Sequence, residues 1–219
     1  MINNHAIGKI LRIIERKSKQ WTLPSVSAIA HGTSSPFKVL ISTILSLRTK
    51  DEVTMSASHR LFQKADTPET ILRLKGHQIE KLIYPVAFYR NKAGHILEIC
   101  KELIEKHEGI VPNDLDTLLK FKGVGRKTAN LVLILGYGIP AMCVDTHVHR
   151  ISNRLGYIKT RNPDESEQKL RQKLPLKYWM KYNDLLVTYG QNQCKPVSPL
   201  CSTCPISSFC PQIGVTNHR

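Results

Sequence analysis

The stretch Leu118-Leu-Lys-Phe-Lys-Gly123-Val-Gly125-Arg-Lys-Thr-Ala129 predicts a helix, a tight turn and a second helix. Gly123 and Gly125 carry no Cβ and can adopt positive φ angles, so their amides can approach a phosphate closely. The second helix begins beside them, and its first N–H groups and positive dipole end face the same anion, next to Arg126. The stretch therefore predicts a hairpin that binds a nucleic-acid backbone without reading bases. A plain helix-connecting turn is the alternative.

Lys127 lies in the first turn of that second helix, directly after Arg126. The positive helix end and the neighbouring guanidinium both disfavour an ammonium, so we expect a pKa below the free value of about 10.4. An amine lowered in this way can act as a nucleophile. Lys127 is thus a candidate nucleophile, with a simple phosphate contact as the alternative.

Asp145 is expected to be buried, because it follows an apolar run and opens a helix in Val144-Asp-Thr-His147-Val-His-Arg150. One interpretation is a plain helix N-cap. The other is a carboxylate near Lys127 that stabilises positive charge on a sugar or assists proton transfer. His147 and His149 have a poor spacing for joint metal ligation on a helix. We interpret them as packing or DNA-facing, with His147 as a candidate DNA contact.

The composition indicates an ordinary globular protein with an unusual charge. The chain has 219 residues, 41% of them hydrophobic, and 32 Lys and Arg against 17 Asp and Glu give a net charge of +15. This field favours a polyanion such as DNA or RNA, with an anionic membrane surface as the alternative. No continuous apolar segment is typical of a signal peptide or a membrane span, so we expect an intracellular, cytoplasmic or nucleoid-associated protein.

The hydrophobic pattern is helical nearly throughout and contains no alternating run long enough for a sheet. The first 20 residues predict a core-facing helix from the spacing of Ile7, Ile10, Leu11 and Ile14. Further helices are predicted over 37–46, 79–88, 91–107, 126–135, 145–155, 165–174 and 178–189. The predicted fold class is therefore all-α.

Four cysteines near the end, Cys194, Cys201, Cys204 and Cys210, follow the spacing C-x6-C-x2-C-x5-C. Thiolates this close in sequence suit either a zinc ion or a [4Fe-4S] cluster. Zinc sites usually show two C-x2-C pairs, and here only Cys201 and Cys204 form one. The other cysteines, Cys100 and Cys143, lie in apolar patterns and are interpreted as core residues.

Together the hairpin, the segment ending in Val-Asp-Thr-His and the cysteine tail resemble the endonuclease III family of the helix-hairpin-helix DNA glycosylases. The resemblance runs from about Phe37 to Pro211. It implies two lobes: a six-helix barrel containing the hairpin, placed at 29–139, and an iron–sulfur domain made from 1–28 and 140–219. It also implies a [4Fe-4S] cluster held by the four cysteines, and a monomer.

The resemblance further implies activity on duplex DNA that carries oxidised pyrimidines or abasic sites. Lys127 would attack the sugar C1′, release the base as a Schiff base forms, and nick the strand by β-elimination, with Asp145 as the essential carboxylate. Two positions depart from the common pattern. Arg48 stands where many members have the Gln that fills the gap left by the flipped base, and Lys122 replaces a proline in the hairpin.

Three alternatives remain open at this stage. A monofunctional mismatch glycosylase of the same superfamily typically lacks the hairpin lysine, and a non-enzymatic DNA-binding module would need neither Lys127 nor Asp145. An electron carrier would show a compact C-x2-C-x2-C spacing, which this sequence lacks.

Overall fold

A computed structural model describes residues 2–33 and 35–219. Over these residues the regular secondary structure is helical and contains no β-strand, which confirms the predicted all-α class. The chain divides into two compact units, one made of Ser25–Ile139 and the other of Met1–Pro24 with Pro140–Arg219. Among the described residues, no helix has both the length and the apolar character needed to cross a membrane.

The unit Ser25–Ile139 contains eight α-helices within its described residues. They are α2 (Ser25–Thr33), α3 (Pro36–Ser46), α4 (Asp51–Lys64), α5 (Pro68–Leu72), α6 (Gly76–Ile83), α7 (Tyr89–His107), α8 (Leu115–Leu118) and α9 (Arg126–Leu131).

Helix α3 is the centre of the unit Ser25–Ile139 and packs against α2, α4, α7 and α9. Its start follows from the sequence, because Ser35 caps it by accepting from the Lys38 amide (3.3 Å) and Pro36 occupies its first turn. Most of the helix is buried, namely Phe37 and every residue from Val39 to Leu45. The hydroxyls of Ser42 and Thr43 donate to carbonyls of the preceding turn, at 2.6 and 2.7 Å, and so avoid a desolvation penalty.

The helix predicted over 126–135 changes its geometry part-way. It is α-helical over Arg126–Leu131 and continues as a π-helical turn over Val132–Gly136. At its end a Cβ on Gly136 would lie 3.0 Å from the Cα of Pro36, so a glycine permits the close approach of this turn to the start of α3.

The second unit contains α1 (Asn4–Ser18), α10 (Thr146–Arg154), α11 (Pro163–Lys173) and α12 (Trp179–Asn192) among its described residues. The predicted apolar face of α1 is confirmed: Ile7, Ile10, Leu11 and Ile14 are all buried in the core of this unit. Each such side chain contributes about 1.5–3 kcal/mol by leaving water.

Both cysteines outside the tail, Cys100 and Cys143, are buried as predicted, and burial raises the pKa of Cys100 to about 12.

Candidate active site

The helix-hairpin-helix is observed, but its first helix, α8, ends at Leu118, and residues 119–123 form turns where the sequence predicted the helix to continue. Asp114 caps α8 by accepting from the Thr117 amide at 2.8 Å. A turn through Gly123 then leads into α9 at Arg126. We call residues 115–131 the hairpin.

The two hairpin glycines serve different purposes. Gly123 has φ +78°, and a Cβ there would lie 2.5 Å from Nδ1 of His95 on α7, so the turn needs a glycine on both counts. Gly125 adopts an extended conformation (φ −98°, ψ 178°) as the N-cap of α9, so the positive φ considered for it from the sequence is not used. The space around Gly125 is open, and a Cβ there would meet no atom within 4 Å outside its chain neighbours and its own helix.

Lys122, which departs from the family pattern, leaves the turn intact. Its ammonium lies 2.8 Å from Oε1 of Glu98 on α7, and both side chains are exposed. Exposed pairs contribute about 0–1 kcal/mol, so this contact orients the hairpin weakly. The buried Phe121, whose ring meets that of His107 edge-on at 5.5 Å, anchors the turn more strongly.

Lys127 occupies the first turn of α9, as predicted, and is half-buried. The next three residues, Thr128, Ala129 and Asn130, are buried, and the Asn130 amide donates to the Arg126 carbonyl at 2.8 Å. The stem of Lys127 therefore starts from a helix that is fixed by the core rather than from a loop.

Asp145 caps α10, in the other unit. Its Oδ1 accepts from the amides of His147 (2.8 Å) and Val148 (2.9 Å), so the N-cap interpretation holds. The carboxylate is half-buried rather than buried as expected. The orientation of the carboxylate is fixed by the buried run 141–144 before it and by the two hydrogen bonds from backbone amides.

The two histidines after Asp145 point to different partners. Nδ1 of His147 lies 3.1 Å from a guanidinium nitrogen of Arg150, and the ring packs so closely on Gly190 that a Cβ there would lie 2.4 Å away. Nδ1 of His149 lies 2.7 Å from the Ser166 hydroxyl, and burial lowers the pKa of His149. The packing interpretation accounts for these contacts, and a DNA contact by His147 stays a prediction.

Arg48 follows α3 in the short connection to α4. Its side chain is exposed, its backbone is left-handed (φ 55°), and its guanidinium carbon lies 5.8 Å from the ring centroid of Phe88. Phe88 is itself left-handed (φ 57°) and 60% exposed. Sequence reasoning missed Phe88, because an exposed aromatic residue inside an apolar run looks like any core residue.

The four tail cysteines come together around one cavity, which they line with residues such as Tyr189 and Ile206. Burial, followed by the neighbouring thiolates, raises the pKa of both Cys201 and Cys210. In the described part of the chain, no three His, Cys, Asp or Glu side chains converge on a single metal-ion position. We call residues 194–210 the cysteine tail.

Two arginines on α10 hold the cysteine tail to its unit. Arg150 donates to the Cys194 carbonyl at 2.8 Å, and Arg154 donates to the carbonyls of Lys195 (2.7 Å) and Pro196 (2.8 Å). Arg154 also lies 3.4 Å from the Cys194 sulfur, and the Tyr189 hydroxyl lies 2.9 Å from the Cys204 sulfur. Donors aimed at the sulfurs suit thiolate ligands, whose negative charge they stabilise.

The regions that carry the hairpin and the cysteine tail both match families of known proteins. A model of the HhH-GPD superfamily of base excision DNA repair proteins matches residues 41–176, and a model of the iron–sulfur binding domain of endonuclease III matches residues 194–210. Endonuclease III of Thermotoga maritima is 49% identical over 180 residues, which cover 82% of this chain and 84% of that protein. The chain belongs to the endonuclease III family of base excision DNA repair proteins.

Two further relatives extend the comparison. Endonuclease III homolog 1, chloroplastic, of Arabidopsis thaliana is 42% identical over 188 residues, and the match covers 82% of this chain and 50% of that relative. The solved structure of a trapped endonuclease III–DNA covalent intermediate matches with a TM-score of 0.84 and 33% identity, over 97% of each chain.

Family membership confirms the predicted enzyme class and cofactor. This chain is therefore a base excision repair DNA glycosylase and abasic-site lyase with a [4Fe-4S] cluster. Of the predicted residues, the structure groups the four cysteines around one cavity and Gly123, Gly125, Arg126 and Lys127 in one hairpin. Lys127 and Asp145 belong to different units.

Proposed function

We propose that this enzyme removes oxidised or ring-opened pyrimidines from duplex DNA and cleaves the abasic site, with Lys127 as its nucleophile. One observation carries the proposal: a lysine stands at the rigid start of α9, in a chain that matches an endonuclease III trapped covalently on DNA over 97% of each chain. A covalent intermediate requires a nucleophile on the protein, and an amine can supply it.

The amine of Lys127 attacks C1′ of the damaged nucleotide, which is flipped out of the duplex. The C1′–N bond to the base breaks and the base leaves with the bonding electron pair and a proton. The new C1′–N bond to Lys127 becomes an iminium as the sugar ring opens. Loss of a C2′ proton then expels the 3′ phosphate, and water hydrolyses the imine to free the lysine.

Asp145 stabilises the positive charge that develops on the sugar and helps move protons to and from Lys127. Its two bonds from the α10 amides occupy Oδ1 and preset the carboxylate before DNA binds. This preorganisation lets the charge act without reorientation during the reaction.

The hairpin binds the DNA backbone through the region of Gly123, Gly125 and Arg126, and Arg48 fills the gap left by the flipped base. Arg48 is exposed on its connection and presents a planar, charged fork, which suits hydrogen bonding to the base on the opposite strand. His147 remains a candidate for a further DNA contact near Asp145.

Cys194, Cys201, Cys204 and Cys210 would hold the [4Fe-4S] cluster. Four sulfurs around one cavity, with donors from Arg154 and Tyr189, fit the thiolate ligation that this cluster requires. When bound, the cluster cross-links the tail, and this cross-link is the role that we propose for it. We also propose that the enzyme acts as a monomer inside the cell, in the cytoplasm or on the nucleoid.

The proposal is tested by a nicking assay on duplex DNA that contains one oxidised pyrimidine. Replacing Lys127 with Ala should reduce nicking by about 10³-fold or more, because alanine removes the amine that attacks C1′. Lys122→Ala, a change in the same hairpin, is the matched control and should nick at nearly the native rate. Normal nicking by the Lys127→Ala enzyme would overturn the assignment.

A further inference from the structure

Lys92 is a buried lysine on α7 that the reaction described above does not use. Its side chain is only 6% exposed. The ammonium donates to the carbonyls of Leu45 (2.9 Å) and Leu47 (2.7 Å) and to the hydroxyl of Thr49 (3.3 Å). An ammonium has three donors, so these three acceptors satisfy it completely without a carboxylate.

All three acceptors flank Arg48. Leu45 and Leu47 lie at the end of α3, where the last carbonyls have no partner within the helix and favour a cation. Thr49 closes the other side of Arg48, and its hydroxyl also donates to the Leu47 carbonyl at 3.2 Å. Lys92 therefore binds the chain immediately before and immediately after Arg48 and leaves the Arg48 side chain exposed.

The same contacts reach the corner that carries Phe88. The Thr49 hydroxyl accepts from the amide of Ala87 at 3.2 Å, and the Lys92 amide donates to the Phe88 carbonyl at 3.0 Å. Arg48 and Phe88 both have positive φ angles in the left-handed region. Residues other than glycine are uncommon there and are held in it by the surrounding structure. The hydrogen bonds of Lys92 and Thr49 lie directly beside both Arg48 and Phe88.

We infer that Lys92 is a positioning residue that fastens the Arg48 connection to the Phe88 corner and so presents Arg48 to the gap in the DNA. The inference rests on the role proposed for Arg48. Lys92 touches neither DNA nor the reacting atoms; it acts through Arg48. Its effect should therefore appear in the choice of opposite base and depend on the presence of Arg48.

Burial lowers the pKa of Lys92 to about 8. The ammonium is accordingly protonated at neutral pH, with all three donors available to the connection. Methionine has a similar shape but no donors, so Lys92→Met keeps most of the packing and removes only the three hydrogen bonds.

The test is a double-mutant cycle of Lys92→Met and Arg48→Ala in the full-length, cluster-loaded enzyme. The quantity is kcat/KM on thymine glycol placed opposite adenine and opposite guanine. We expect each single change to lower kcat/KM by about tenfold for the preferred opposite base. Each change should also shift the ratio of the two kcat/KM values, adenine against guanine, in the same direction and by a similar factor. The double change should be no worse than either one, because contacting groups that act together are not additive.

Two further variants serve as a control and as a replacement. Lys101→Met, on the exposed side of α7, is the matched control and should leave both kcat/KM values unchanged. If Lys92→Met does not fold, Thr49→Val replaces it, since this change removes the shared hydroxyl at nearly constant volume.

The outcomes separate the two ideas. If Arg48→Ala changes neither the rate nor the ratio, the role proposed for Arg48 is wrong. If Arg48→Ala has its effect but the Lys92 change lowers both pairs equally, or adds fully to Arg48→Ala, Lys92 is a general stabilising residue and the inference is overturned.

Discussion

The hairpin and the cysteine tail are two short regions of similar size that are held in opposite ways. In the hairpin Leu118, Phe121 and Val124 are buried, at 0, 2 and 6% exposure. In the cysteine tail Ile206 is buried, but Val197 is 83% exposed and arginine hydrogen bonds tie down the backbone. Hydrophobic burial fixes the hairpin, whereas a segment with so little apolar burial depends on a cross-link.

The hairpin and the cysteine tail therefore gain their rigidity from different sources. The proposed nucleophile, Lys127, stands on a helix whose next three residues are buried. The tail is held by hydrogen bonds from α10 and, in the function proposed above, by the cluster. Damage to the cluster should therefore cost stability first, and damage to the hairpin should cost DNA processing first.

The largest effect on stability is expected from Cys204→Ser. Loss of a thiolate ligand should abolish the broad absorbance that iron–sulfur clusters show near roughly 400 nm. It should also lower the free energy of unfolding by several kcal/mol, on the order of the loss of a structural cross-link. Urea unfolding and the visible spectrum measure both. Cys100→Ala, at a buried thiol outside the tail, should keep the absorbance; if Cys204→Ser keeps it as well, the ligand set is wrong.

A smaller effect is expected from the hairpin glycines. Gly123→Ala places a Cβ 2.5 Å from His95 at φ +78°, so the free energy of unfolding should fall by about 1–3 kcal/mol. Gly125→Ala has an extended backbone and open space, and should lose about 0.5 kcal/mol. Equal losses in urea unfolding would contradict the different purposes assigned to the two glycines.

Within the cysteine tail, a smaller effect than that of Cys204→Ser is expected from Arg154→Gln. This change removes the donors to Lys195 and Pro196 but leaves all four cysteines, so stability should fall by about 1–2 kcal/mol while the cluster still assembles. Cluster loss in oxygenated buffer, followed by absorbance, should be faster than in the native enzyme. Arg161→Gln, at an exposed position, is the control, and an equal rate of loss in the two variants would show that Arg154 does not hold the tail.

Much of this architecture is predictable because local chemistry fixes it. Asp114, Asp145 and the Ser35–Pro36 pair mark helix starts, and the spacing of Ile7, Ile10, Leu11 and Ile14 marks a buried face. The cysteine spacing and the hairpin glycines are equally local. These signals lie within one or two turns of the residue that they position.

The remainder depends on contacts distant in sequence. Lys92 bonds residues more than 40 positions earlier in the chain, and a lysine in an amphipathic helix looks like any solvated charge. The Gly136 contact with Pro36 and the π-helical turn that ends at Gly136 arise from packing between helices. The half-exposure of Asp145 likewise depends on what packs around α10.

Borohydride trapping on a duplex with one thymine glycol tests the central claim most directly, because borohydride reduces a Schiff base to a stable bond. The native enzyme and Lys122→Ala should become covalently attached to DNA, Lys127→Ala should not, and the adduct should map to the peptide that contains Lys127. An adduct of equal yield with Lys127→Ala, or base release by the native enzyme without any adduct, would contradict the lysine mechanism.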